Sequence, residues 1–301
     1  MTWSRIAFPL AALAASSSAF AQVAEECQDF IGPAPEGYDE QVQADFLANY
    51  TALATSYSAI HGPIPHEPGR GAVGVDIGII PPLGCEKRFA LAHTKTEDTN
   101  VTPAVPKIHI GGAFAAIGGK LVPYVSFSFV PPVPLFGTTN VILSGEVGVG
   151  MPFGEHFQLG ARYNATLQKT VGEVVTPISP EDPAVEDLYI ASTQGFDLLA
   201  GWNVGTVTPY VALGVLDAST FLYIGDDAIA PNNLHPYFGL VGSLGVDALV
   251  WDRFRVGGEF FAAPGGHSVP EGDDSITDVE EGAFSRYGNL YTGRFRFAYE
   301  F

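Results

Sequence analysis

Basic residues are scarce: 14 lysines and arginines stand against 33 aspartates and glutamates, a formal net charge of −19 over 301 residues. So acidic a chain lacks the basic footprint of a nucleic-acid binder. Cysteine is nearly absent, at two residues, Cys27 and Cys85. After the first 21 residues no apolar run reads as a spanning helix. Leu121 to Gly145 carries no charge, but Pro123, Pro131, Pro132 and Pro134 interrupt it, and Val125, Phe127 and Phe129 alternate with Tyr124, Ser126 and Ser128 at the period of a strand. No internal repeat is found beyond the spacing of hairpins. No acidic stretch follows the calcium-loop pattern of acids at alternate positions, then glycine and a distal glutamate, so no metal or other cofactor is expected.

What is abundant points to one large all-β domain, with 35 glycines, 23 prolines, 12 tyrosines and 21 phenylalanines. The N-terminus reads as an export signal over 1–21: Arg5 precedes an apolar stretch from Ile6 to Ala15, and Ala19-Phe20-Ala21 forms a small-residue cleavage site. The mature chain is expected to begin at Gln22. Cys27 follows Ala24-Glu25-Glu26, which lacks the residues that precede an acylated cysteine, so a lipid anchor is not expected.

The far end carries the strongest pattern. Phe295, Phe297, Tyr299 and Phe301 alternate with Arg294, Arg296, Ala298 and Glu300, giving one aromatic and one charged face. In a membrane barrel the aromatic face meets lipid and the charged face lines a polar lumen. Alternating aromatics ending in a terminal phenylalanine resemble the assembly signal of bacterial outer-membrane β-barrel proteins. That resemblance implies a Gram-negative outer-membrane location, recognition by the barrel-insertion machinery, and contact with lipid and lipopolysaccharide.

The same alternation recurs upstream, most completely from Phe157 to Gln168. It predicts an antiparallel up-and-down transmembrane β-barrel over 71–301, with strands near 71–80, 107–117, 120–129, 139–151, 155–168, 192–203, 206–217, 236–250, 253–263 and 288–301. Gly118-Gly119, Pro152-Phe153-Gly154, Val204-Gly205 and Trp251-Asp252 read as tight periplasmic turns. The segments 81–106, 169–191, 218–235 and 264–287 read as long extracellular loops, and 130–138 as an intermediate one.

Within 22–70, residues 39–60 predict the one helix of the mature chain, because Val42, Phe46, Leu47, Tyr50, Leu53, Tyr57 and Ile60 form an apolar stripe and His61-Gly62-Pro63 would end it. In an oxidising compartment Cys27 and Cys85 are expected to pair. Cys85 falls in the first extracellular loop, so the bond requires the N-terminal segment to pass through the lumen, with the helix descending as a plug. Glycines on the lumen face, among them Gly74, Gly78, Gly111, Gly148, Gly150, Gly160, Gly201 and Gly257, would leave room for it. The alternative is a periplasmic helix below the barrel.

The lumen face is predicted to collect Asp76, His109, Glu146, Arg162, Asp197, Asp247, Arg255, Glu259, Arg294, Arg296 and Glu300. A structural network of cross-strand pairs is expected, Glu146 with Arg162 and Glu259 with Arg294 or Arg296, in preference to a selectivity filter. Catalytic candidates are thin, and none is assigned. His267 and Ser268 are adjacent and would point to opposite faces of a strand, and Asp226, Asp227 and His235 share one loop. Loop acids Glu181, Asp182, Glu186 and Asp187, and Glu271, Asp273, Asp274, Asp278, Glu280 and Glu281, read as solvated. The sequence thus predicts a monomeric outer-membrane barrel with a structural or narrow, porin-like transport role. The alternatives are an outer-membrane hydrolase or acyltransferase, and a secreted β-sandwich or adhesin.

Overall fold

The computed structural model describes residues 40–57, 59–90, 95–97, 103–135, 138–172, 174–177, 186–225, 228–229, 237–264, 267–268 and 290–301. Among these, ten long strands form the barrel: β1 (Gly71–Ile79), β2 (Ala104–Ala113), β3 (Val122–Leu135), β4 (Thr138–Phe153), β5 (Phe157–Gly172), β6 (Asp187–Trp202), β7 (Val207–Ile224), β8 (Tyr237–Val250), β9 (Phe254–Ala263) and β10 (Leu290–Glu300). Each pairs antiparallel with its neighbours in chain order, and β10 returns to β1, with Asp76 opposite Arg296 and Val75 opposite Phe297. The seam is finished by two reciprocal backbone hydrogen bonds between Gly71 and Phe301, of 2.9 and 3.2 Å. A closed sheet has no edge to protect.

The sidedness of this barrel is inverted relative to a soluble globule. Outward positions are apolar and open, with Leu244, Leu213 and Leu198 at 65%, 62% and 60% exposure, while the inward Asp76, Arg294 and Arg296 retain 1–2%. Aromatic side chains gather at the tight-turn end. Phe157 lies 6.4 Å from Trp202, Phe254 5.5 Å from Tyr299, and Trp251 6.0 Å from Phe254. Toward the other end, the outward face of β6 and β7 turns polar where Asp217 opposes Gln194 and Ser219 opposes Ser192.

All four predicted tight turns lie between strands where expected. At Trp251-Asp252 both residues adopt positive φ (52° and 60°), turning the chain within the three residues between the paired Val250 and Phe254. The opposite ends of several strands run further than the alternation indicates. β3 continues to Leu135, β5 to Gly172 and β7 to Ile224, and β6 begins at Asp187. Pro131 and Pro132 are absorbed by a register shift between Val130 and Val133. The pairing of β3 with β2 stops at Phe129, so these prolines sit on a free edge and cost no ladder bond on that side. Above the barrel, Phe89–Ala90, Lys95–Glu97 and Val175–Pro177 form a small three-stranded sheet joining two segments read as plain loops.

Helix α1 (Glu40–Thr55) lies inside the barrel. It is buried on every side as the plug reading implies, for Gln43, Asp45 and Asn49 are as buried as Phe46 and Leu53 of its apolar stripe. Phe46, Leu47, Tyr50 and Leu53 pack in one cluster with Leu216 and Leu222 of β7, Val241 of β8, Phe261 of β9 and Leu290 of β10. Its first turns are held near the mouth opposite the tight turns, where Gln43 Nε2 donates to the Lys87 carbonyl (2.6 Å) and the Tyr50 hydroxyl to that of Pro81. The helix therefore runs from the loop end toward the middle of the lumen.

Candidate functional site: the plugged lumen

The helix stops at Thr55, five residues short of the predicted end, and the reason lies on the wall. A helix C-terminus leaves its last carbonyls without intrahelical donors, and buried carbonyls must find others. Nothing basic stands in the helix's own last turn. Lys107 of β2 supplies the donors, its Nζ 2.6 Å from the Thr55 oxygen and 2.9 Å from that of Ser56. Arg294 of β10 reaches the Leu53 and Tyr57 carbonyls at 3.3 and 3.1 Å and the Ser56 hydroxyl at 2.9 Å. Two wall cations thus cap the helix and complement its dipole.

Below this cap the chain continues down the lumen to β1 as an irregular strap. His61 Nε2 lies 2.6 Å from Glu146 Oε1, which also accepts from Ser126 Oγ at 2.7 Å, and the His61 ring packs edge-on against Tyr124. Pro63 occupies a hollow made by glycines. A Cβ built on Gly150 would meet the Pro63 oxygen at 2.1 Å, one on Gly201 would meet its Cδ at 2.7 Å, and Gly160 is nearly as close. Gly257 gives way similarly to Ile60. Other lumen glycines make room for the wall itself: Tyr124 lies over Gly148, Tyr210 over Gly245, Asp197 over Gly214 and Ala298 over Gly74. The predicted room for a plug is real, but it serves the strap more than the helix.

Gly150→Ala is therefore expected to dislodge the strap, because the clash is with backbone and no side chain can swing aside. Single-channel recording in planar bilayers checks this. The wild type should stay closed and the variant should conduct, and a closed variant would show that the strap does not seal the lumen.

All eleven residues assigned to the lumen face lie there, resolved into separate clusters. Arg296 embraces Asp76 through Nε (2.7 Å) and Nη2 (2.9 Å), with His109 Nδ1 3.1 Å from the same Nη2. Arg162 donates to Asp197 at 2.7 Å, joined by Asn164 at 3.2 Å. Arg255 bridges Asp247 (2.6 Å) and Glu300 (3.2 Å), and His66 approaches Glu300 at 3.7 Å. Arg294 lies 3.5 Å from Glu259, as expected, and Glu259 also accepts from Tyr210 at 3.0 Å. The expected Glu146–Arg162 pair is replaced. In the register Arg162 stands opposite Asp197 and Gly148, while Glu146 stands opposite Asn164 and Ser126 and finds its partner in His61 of the strap.

The structure adds Lys107, His61 and His66 to the lumen residues that the sequence indicates. Lys107 shares the inward parity of His109, a signal that would have found it; the two histidines lie outside any strand, where alternation says nothing. Of the loop acids, Asp187 is corrected: it is buried and accepts from the backbone nitrogens of Val174, Val175 and Gly225 at 2.9, 2.9 and 3.1 Å. It ties the β5–β6 loop to the end of β7. Glu181, Asp182, the acids of 271–281, Asp226, Asp227, His235 and Cys27 lie outside the described residues. His267 and Ser268 are consecutive residues of a short strand paired with Phe238 and Tyr237.

Among solved structures, the translocator domain of autotransporter NalP from Neisseria meningitidis is similar to this chain, with a TM-score of 0.45 and 13% identity over 86% of this chain and 95% of that one. No protein-family model matches the sequence, and no curated protein matches it.

Proposed function

We propose that the protein is a Gram-negative outer-membrane barrel that works as a narrow channel, held shut at rest by its own N-terminal segment. One observation carries this: a wall apolar outside and charged inside encloses a buried helix and strap that leave the lining charges shielded from water. An apolar exterior with exposed aromatics toward both ends, Trp202 and Phe254 by the tight turns and Phe221, Phe238 and Tyr291 by the loops, fits a bilayer. Charges locked in pairs with the wall and strap favour a closed conduit over a standing selectivity filter. The signal peptide over 1–21 brings the chain to the periplasm, and Phe295, Phe297, Tyr299 and Phe301 present the assembly signal to the insertion machinery. The short turns then face the periplasm, the long loops face lipopolysaccharide, and the monomer is the working unit.

In this reading Cys27 and Cys85 form a disulfide that pins the top of the helix. Cys85 opens a short turn, Cys85–Lys87, whose last carbonyl is bonded by Gln43 of the helix's first turn, so Cys85 stands beside the end of the barrel where the helix begins. The test is electrophoretic mobility of detergent-extracted protein, with and without boiling and reductant. Boiling is expected to shift the band, and reduction to change the mobility of the unheated form. A chain that stays in solution without detergent and shows no shift overturns the membrane reading; a shift indifferent to reductant overturns only the disulfide.

A further inference from the structure

The plug does not sit centrally. Its apolar contacts are mainly with the wall from β6 to β10, whereas the inward face from β3 to β6 carries hydroxyl, amide and charged side chains interrupted by Val122, Val130, Ile142, Leu199 and glycines. A chain of hydrogen bonds descends this side from the mouth. Asn140 donates to Thr138 (2.8 Å), Thr170 to Asn140 (2.6 Å), Gln168 to Thr170 (3.0 Å), and Thr55 of the helix donates to Gln168. Thr51 lies one turn above Thr55 on the same helix face and is the only residue from Gln43 to Tyr57 that is not buried. Water thus reaches the helix on this face.

Beneath that chain lies an in-register row: Ser128 opposite Ser144, Ser144 opposite Thr166, and Thr166 opposite Thr193. All four hydroxyl oxygens are buried without a hydrogen-bond partner. A buried hydroxyl left unpaired is costly, and four in one row mark a surface that the plug covers but does not satisfy. Two interfaces therefore hold the plug with unequal complementarity: apolar surface against β6–β10, unanswered hydroxyls against β3–β6. The second is where the plug parts from the wall at least cost.

We propose, resting on the plugged-channel reading, that the β3–β6 wall is the solute path, and that it passes small uncharged polyhydroxylated solutes of the sugar class. Each wall hydroxyl can donate or accept by rotating, so it answers a sugar hydroxyl in either sense. Neighbouring strands space these groups about 4.8 Å apart, close enough for a solute hydroxyl to pass from one to the next. The charges on the wall do not favour an ion of either sign: Arg162 is spent on Asp197, and the five cations of the wall, Lys107 included, face the six carboxylates of the predicted network.

The test uses full-length protein in liposomes, with Lys107→Met/Arg294→Met to uncap the helix and release the plug. Arabinose uptake by swelling and KCl conductance are read with and without Ser128→Ala/Ser144→Ala/Thr166→Val/Thr193→Val, and the heat-modifiable shift shows which variants are folded. Release is expected to admit arabinose, and removal of the row to cut that uptake about ten-fold while conductance changes less than about two-fold. Uptake indifferent to the row, or uptake and conductance falling together, overturns the path. A folded released variant that passes neither solute overturns the channel reading itself. Should the combined variant not fold, Thr166→Val/Thr193→Val in the plugged chain decides. Unpartnered hydroxyls predict an unchanged or raised unfolding temperature, and a fall would show that the row is already satisfied.

Discussion

Arg296→Leu is expected to cost about 3–5 kcal/mol and to leave the barrel unable to survive mild heating in detergent, because it strands Asp76 as a buried charge. Asp76 has 1% of its surface exposed, and both of its oxygens are engaged by the guanidinium. The pair also spans the β1–β10 seam, where the two residues stand directly opposite. Closure depends on this register, so losing one partner weakens the joint between the first and last strands. The companion Asp76→Leu should be similarly damaging, with Arg296 left beside His109. The double substitution is the informative one. Two leucines remove both charges together, and buried pairs replaced in this way are often neutral or stabilising. A double variant that recovers the thermal midpoint of the wild type would show that the pair fixes register and is not a source of net stability. If each single change is harmless, water reaches Asp76 and Arg296 and the pair is not shielded.

The strands and their inward residues were legible because a closed barrel with an apolar outside and a charged inside imposes alternation on every strand, so that a lumen charge such as Asp197 is flanked by the outward Phe196 and Leu198. The pattern fades toward the loop ends of β6 and β7. At Gln194, Ser192, Asp217 and Ser219 the outward face is polar, and this interruption breaks the alternation before it resumes at Ile190 and Phe221, so β6 and β7 read shorter than they are. Pairings were less legible than faces. Arg162 meets Asp197 rather than Glu146 through a register that composition does not carry. The end of the helix was the least accessible feature. Its apolar spacing continues through Tyr57 and Ile60, yet Lys107 and Arg294 take up the terminal carbonyls and end it at Thr55. No window confined to residues 39–60 contains that information. The strap's grip on the wall is hidden for the same reason, since His61 and Pro63 gain their meaning only against Glu146 and the glycines of β4, β5 and β6.

The outer face yields the second large effect. Val211 is half exposed, at 50%, and lies midway along the apolar outward run of β7 from Val207 to Val215, with Ala200 and Leu244 on the adjoining strands. If that run meets the hydrocarbon core, Val211→Arg must bring a guanidinium into it, at a cost of about 2–4 kcal/mol near the midplane. Ser219→Arg, in the polar belt four positions beyond Val215, should cost about 0–1 kcal/mol, since the head-group region can hydrate the charge. The neighbouring Ala212 faces inward and is buried. Folding titrations into lipid vesicles would separate the two arginine variants by depth. On a water-exposed surface the same Val211→Arg change would stay within about 0.5 kcal/mol. Equal, small effects at Val211 and Ser219 would therefore mean that no bilayer surrounds the barrel. A steep difference between two positions that are both outward and both accessible has no source other than the apolar medium between them.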